Sequence, residues 1–300
     1  MIRKGIGVFV KSICKRMSYA ICLGLLFALS SCANLGHINS YAKSSRLCLE
    51  AHTDLGFSFS QYCTDCLPDN LTQSVQSKVA DVKPADCSLY IKADSALLIF
   101  HDIILAYISG LEKLSNKDLS TINLDGMVTN LKALQGQLPG SGKFSDKQFG
   151  AAQNIVSKIV SLGLKTFQKV KLKKTITEVD SNLAVVLNYY EMALQGLQSN
   201  AALCSKNYED FVTDEILHNA KDVGAKNLIV RDYQTYKRES DKRATAIKLY
   251  IAAIDKIKLG HHELATSKTS ITSQVVTKHV IQYAQDIFSL QEQIQNLKSK

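Results

Sequence analysis

Apolar residues recur every three or four positions along most of the chain after residue 93, which is the spacing of one face of an α-helix. This spacing predicts helices over residues 94–114, 118–135 and 147–172. Thr175-Ile-Thr-Glu178 matches a capping box, in which two side chains bind the free N–H groups of a helix start. Another helix is therefore expected to begin there and to continue through Ala201. No segment alternates apolar and polar residues as a half-buried strand does, so essentially no β-sheet is expected.

The last third of the chain contains a heptad pattern, in which apolar side chains are spaced alternately four and three residues apart. One run has seven such positions from Val276 to Leu297, and another extends from Ile229 to Ile257 with only Ser240 and Arg243 polar. We expect these runs to form a long antiparallel helical hairpin over residues 227–298.

The ends of this hairpin can be placed from its charged residues and its glycine. Lys256, Lys258 and Gly260 predict the end of the first helix, because cations favour the last helical turn and glycine the position after it. The tip of the hairpin is then expected near residues 260–267. The charged segment 237–243 is expected to face solvent or to meet a partner.

The predicted fold class is all-α: an elongated helical bundle with a long antiparallel C-terminal helical hairpin and a small N-terminal disulfide-bearing cap. Residues 93–300 form the bundle in this prediction. Residues 46–92 have weak periodicity and hold four cysteines, so they are assigned to the cap. Residues 32–45 are polar and short and are expected to be a tether.

The first 31 residues have the features of an export signal. The first 17 carry five basic and no acidic residues, and the apolar stretch Ser18–Leu29 follows. That stretch is short for a membrane-spanning helix, which needs about 20 residues. Leu29-Ser30-Ser31-Cys32 then places an aliphatic residue and two small residues before a cysteine.

This arrangement resembles the signal peptide and lipobox of bacterial lipoproteins, and the resemblance is limited to residues 1–32. It implies that residues 1–31 are removed and that Cys32 becomes the lipidated first residue, which anchors the protein to a membrane. Ala33, where an aspartate would retain some lipoproteins in the inner membrane, implies the outer membrane. The alternative is an ordinary secretory signal followed by a chance cysteine.

Five cysteines remain after Cys32, and an exported chain meets an oxidising compartment in which disulfides form. Cys48, Cys63, Cys66 and Cys87 are expected to form two disulfides, and their spacing leaves the pairing open. Cys204 continues a helical apolar face and is expected to be a buried free thiol. The close pair Cys63 and Cys66 also has the spacing of a thiol oxidoreductase or of half a zinc site. No strand precedes it and no second close pair exists, so neither is favoured.

Charge and local motifs exclude several functions. The five basic residues of the leader account for more than half of the net charge of +9 and leave +4, so nucleic-acid binding is not expected. Gly140-Ser-Gly142-Lys143 departs from the phosphate-loop motif at both ends. His261-His262-Glu263 is expected to be a solvated turn, and His101-Asp102 a polar edge of a core helix. No catalytic residue, metal site or cofactor is predicted, and the chain is not expected to be an enzyme.

The expected function is that of a lipid-anchored binding or scaffolding module of the cell envelope that faces the periplasm. Its expected partners are the membrane, through the N-terminal lipid, and an envelope protein. The alternative is a carrier that holds a small apolar ligand between bundle helices, which the apolar excess of residues 96–111 favours.

Overall fold

Helices account for all the regular structure in the part of the chain that the computed structural model describes, and this confirms the all-α class. The described residues are 35–67, 85–116, 145–163, 169–213, 222–267 and 270–298. The predicted lipidation site at Cys32, the predicted helix 118–135 and the predicted loop at Gly140 lie outside these ranges. The described residues from Gly36 onward form one compact unit.

Seven α-helices occur in these ranges and pack as a bundle. They are α1 (Gly36–Glu50), α2 (Phe59–Cys66), α3 (Ser88–Ser115), α4 (Asp146–Gly163), α5 (Lys169–Phe211), α6 (Val223–Thr266) and α7 (Gln274–Lys298). A short 3₁₀ turn, Ala51–Leu55, follows α1 directly.

The helix α3 is central among the described helices. Leu97, Phe100, Ile104, Tyr107 and Leu111 are all buried. Among the described helices, α3 alone is long and apolar enough to span a membrane, but 61% of its most apolar window is buried inside the bundle. A core helix has the same length and composition, so this finding is weak evidence for a membrane span.

The predicted hairpin of residues 227–298 is formed by α6 and α7, which run antiparallel. Lys256 Nζ lies 3.2 Å from the Asp286 carboxylate, and His279 Nδ1 lies 3.2 Å from the Glu263 carboxylate. In the α7 heptad run Ile287 is fully buried, whereas Leu290 is only half-buried. The heptad pattern places Leu290 on the apolar face, but the buried face is shifted by one position there, to Ala284 and Gln291.

The first helix of the hairpin was predicted to end at Gly260. It continues instead to Thr266. Gly260 is buried inside this helix, and the ring of Tyr41 from α1 packs directly on it. A Cβ added at Gly260 would lie 2.5 Å from Cε2 of Tyr41 and 3.3 Å from Cβ of Tyr283. The glycine thus allows a close approach of helices, and it is not a helix terminator.

The predicted tether was wrong for residues 36–45, since α1 is part of the bundle core. Ile38, Tyr41 and Ala42 are fully buried. The Tyr41 hydroxyl donates to the carbonyl of Ile257 on α6 at 2.5 Å, and the His37 ring is bonded to the carbonyl of Ile271 at 2.7 Å. The bundle therefore begins at Gly36 and not at residue 93.

The predicted helix start at Thr175 was also wrong. Thr175 lies within α5, which is continuous from Lys169 to Phe211. The apolar positions after it were identified correctly, because Val179, Leu183, Leu187 and Tyr190 are all buried. The capping-box sequence here occupies an ordinary turn in the middle of a helix.

Candidate functional site

The disulfides surround α2, but they do not use the four cysteines that were predicted. Cys63 is bonded to Cys87 and Cys66 to Cys204, with Cα–Cα distances of 5.7 and 4.8 Å. Cys48 has no disulfide partner, and Cys204 is not a free thiol. The prediction failed because packing of α5 brings Cys204 against α2 although 138 residues separate it from Cys66.

The remaining thiol, Cys48, lies on the inner face of α1. It is completely buried, and burial raises its pKa to about 12. A thiol with this pKa stays protonated at neutral pH and is a poor nucleophile. Cys63 and Cys66 are bonded to different partners, so they do not form the internal pair of a thiol oxidoreductase.

His261, which was expected in a solvated turn, is instead buried inside α6, where it forms the centre of a hydrogen-bonded chain. The Tyr107 hydroxyl of α3 lies 2.7 Å from its Nε2. Its Nδ1 lies 2.8 Å from Oδ1 of Asp180 on α5. The second oxygen of Asp180 lies 2.8 Å from Nδ1 of His262, which is exposed. The chain Tyr107–His261–Asp180–His262 thus joins three helices.

The protonation states in this chain follow from burial. Burial lowers the pKa of His261, against the opposing effect of Asp180, so its ring is neutral. Burial also raises the pKa of Tyr107, which therefore keeps its proton and donates a hydrogen bond to His261 Nε2. At Asp180 burial acts to raise the pKa, but the bonds from His261 and His262 outweigh it and the pKa is lowered. The carboxylate thus accepts from both histidines.

A half-open groove of about 220 Å³ lies beside this chain. Its walls include Leu183, Leu187, Leu259 and the His262 ring. The buried part of the chain has its polar atoms satisfied, and it acts mainly to hold α3, α5 and α6 together. Sequence reasoning missed Asp180 because it lies 81 residues from His261 and no local pattern links them.

A second polar cluster surrounds His101, which the sequence placed at a polar edge. The His101 Nε2 lies 2.9 Å from the carbonyl of Leu49, and its Nδ1 lies 3.1 Å from Asp102. The His52 ring lies 4.9 Å from the His101 ring. The buried Nε2 of His52 has no hydrogen-bond partner. Both ring nitrogens of His101 thus have hydrogen-bond partners. The pair His101-Asp102 is a polar edge of a core helix, as predicted.

The N-terminal half of α6 is more exposed than its C-terminal half, which is packed in the bundle. This half packs on α5 through Tyr233 and Tyr236, whose rings lie 6.3 and 4.0 Å from the Tyr208 ring. The Tyr236 hydroxyl also lies 3.0 Å from Cys204 Sγ. The disulfide of Cys204 to α2 therefore lies directly behind this contact and stabilises it.

The opposite side of the same half carries a stripe of exposed residues, which we call the α6 stripe. Its members are spaced three or four residues apart: Val223, Asn227, Val230, Gln234, Arg238, Asp241 and Thr245. Further along α6 the same side is the one that contacts α7, through Lys256, Gly260 and Glu263. Among the described residues, α7 ends at Lys298, and no other described helix covers the stripe.

An open groove of about 440 Å³ begins where α7 ends. Leu297 of α7 forms one wall, and Gln234, Lys237, Arg238 and Lys242 of α6 are among the residues of the other. In the described ranges, no group of three or more His, Cys, Asp or Glu side chains is arranged to hold a metal ion.

Comparison with known proteins found no matching family, no matching curated protein and no matching solved structure.

Proposed function

We propose that this protein is a lipid-anchored binding or scaffolding protein of the bacterial cell envelope, attached through Cys32 and facing the periplasm, with the outer membrane as its location. The basic and apolar leader with its Leu29-Ser30-Ser31-Cys32 site supports the anchor. The disulfides Cys63–Cys87 and Cys66–Cys204 support an oxidising compartment, because such bonds are rare in reducing ones.

The observation that carries the binding role is the exposed α6 stripe. A side of a helix that is paired along one half of its length and exposed along the other is a surface on which a further helix can pack. The stripe includes two exposed valines, Val223 at 74% and Val230 at 39%. A module that binds a partner fits this surface better than an enzyme does.

The position of the start of α1 supports a scaffolding role. α1 begins at Gly36, beside the α6–α7 loop, where His37 bonds to Ile271. Cys32 precedes Gly36 by only four residues, so a lipid there would hold this loop near the membrane. The near end of the α6 stripe is then roughly 30 Å away along α6, at 1.5 Å per residue.

The anchor is tested by labelling cells with radioactive palmitate and comparing Cys32→Ser with the wild type. The substitution removes the only acceptor that the lipobox offers, so we expect complete loss of label and a mislocalised precursor. Cys22→Ser, within the leader, is the matched control and should keep both the label and the membrane location. Label in the Cys32→Ser protein, or none in the wild type, would contradict the proposal.

A further inference from the structure

The net charge of the chain is concentrated around the α6 stripe. Residues 223–248 contain seven basic and three acidic residues, a net charge of +4. The residues after the leader also have a net charge of +4, so those outside 223–248 contain equal numbers of basic and acidic side chains. Lys242 and Arg238 share the Glu239 carboxylate, at 3.0 and 3.8 Å. The net charge of +4 already counts the Glu239 carboxylate, so the surface keeps a positive potential in spite of these two ion pairs.

The geometry of the stripe specifies the shape of an occupant. The stripe continues the side of α6 on which α7 packs, and the groove of about 440 Å³ lies at the end of α7. Residues 223–241 of α6 are about 27 Å long at 1.5 Å per residue. A helix of about five turns that continues the line of α7 would cover this length.

We propose that the α6 stripe binds an acidic amphipathic helix of a partner protein, which continues the α6–α7 packing beyond Leu297. Apolar residues of the partner helix contact Val223, Val230 and Leu297, and its carboxylates pair with Lys237, Arg238 and Lys242. This inference rests on the proposed binding role and adds the chemistry of the partner. A second copy of this chain is disfavoured as the occupant, because it would bring the same positive charge to the interface.

The test uses the mature protein, purified in a nonionic detergent, and a fluorescent synthetic peptide. The peptide has about three heptads, with leucine at the a and d positions and glutamate at the outward positions. We expect saturable binding by fluorescence anisotropy. The triple variant Lys237→Glu, Arg238→Glu, Lys242→Glu should weaken it at least about tenfold, since like charges then face each other. Raising the salt concentration should weaken wild-type binding.

The matched control reverses three exposed lysines elsewhere, Lys43→Glu, Lys147→Glu and Lys278→Glu. It changes the net charge equally and should leave binding unaltered. A peptide of the same composition with a scrambled order should bind at least about tenfold more weakly, because its leucines no longer share one face. Unchanged melting temperatures of both triple variants confirm that the fold is intact.

Several results would overturn this proposal. They are equal binding of the scrambled peptide, equal weakening by the control variant, or stronger binding to vesicles of anionic phospholipid than to the peptide. Sedimentation that shows self-association through the stripe would also overturn it, in favour of a second copy. These measurements use purified protein and do not depend on Cys32, so their failure is distinct from the failure of the membrane anchor.

Discussion

The His52 side chain has a buried ring nitrogen without a hydrogen-bond partner. Its ring packs near His101, Tyr190 and Tyr250, with centroids 4.9, 6.2 and 5.8 Å away. The buried Nε2 has no partner. Burial, together with the nearby His101, lowers its pKa to about 4 from the usual 6.5. The folded protein therefore holds this ring neutral under conditions in which an unfolded chain protonates it.

This difference predicts acid sensitivity. Below pH 6.5 the unfolded state binds a proton at His52 that the folded state does not, so stability falls as the pH is lowered towards 4. The loss from this residue is at most about 3 kcal/mol. His261 is also held neutral by burial and contributes in the same direction.

Urea denaturation at pH 7 and at pH 4.5 measures this loss. His52→Phe should be at least as stable as the wild type at pH 7, because an unpaired buried nitrogen is removed. It should also lose less stability at pH 4.5. Gln234→Ala, at an exposed residue without an ionisable group, is the control and should retain the wild-type pH dependence. The same acid-induced loss in His52→Phe would show that another group is responsible.

At the scale of helices, the contact between α1 and α6 depends on Gly260. Adding a methyl group there would place Cβ 2.5 Å from one atom of the Tyr41 ring and 3.1 Å from another. Tyr41 is fully buried and its hydroxyl is bonded to Ile257, so the ring has no free space into which to move. The clash must therefore separate the two helices.

Gly260→Ala should destabilise the protein by about 1–3 kcal/mol, as overpacked cores do, although alanine is otherwise the better helix former. Gly150→Ala in α4 is the matched control, because nothing lies within 4 Å of the added Cβ. That variant should be more stable than the wild type by about 0.5–1 kcal/mol. Thermal or urea unfolding of both variants checks the prediction, and equal effects of the two would contradict it.

The same glycine shows what the sequence could and could not predict. The hairpin was predictable because the 4-3 spacing of apolar residues recurs over many turns in both helices. The position of its tip was not, because Gly260 beside two lysines looks like a helix end and its real role depends on Tyr41, 219 positions earlier. The serines, the lysine and the arginine of α1 concealed its buried Ile38, Tyr41 and Leu49 in the same way.

The candidate site could be predicted only in part. The charged segment 237–243 was expected to meet solvent or a partner. Lys237, Arg238 and Asp241 are exposed, whereas Ser240 within the segment is buried. The stripe itself could not be identified from the sequence. Its members are apolar, polar and charged in turn, and only the end of α7 shows which side of α6 is left uncovered.

At the scale of the whole molecule, two disulfides join α2 to α3 and to α5. Mass spectrometry after alkylation of the mature, unreduced protein tests this arrangement. Native protein should show no labelled thiol among its described cysteines, since Cys48 is fully buried and its pKa is raised. Unfolding without a reductant should expose Cys48 alone. The peptides Cys63–Cys87 and Cys66–Cys204 should remain linked, and a linked Cys48 would contradict the structure.

This pairing also bears on how the protein is made. In the export that we propose, the cysteines would cross the membrane in sequence order, so Cys48, Cys63, Cys66 and Cys87 would arrive before Cys204. The native partner of Cys66 is the last of them. Oxidation during export would first link the early cysteines to one another, in bonds that a later thiolate must break by exchange. Under the proposed export, correct pairing is therefore expected to depend on an isomerase that reshuffles disulfides.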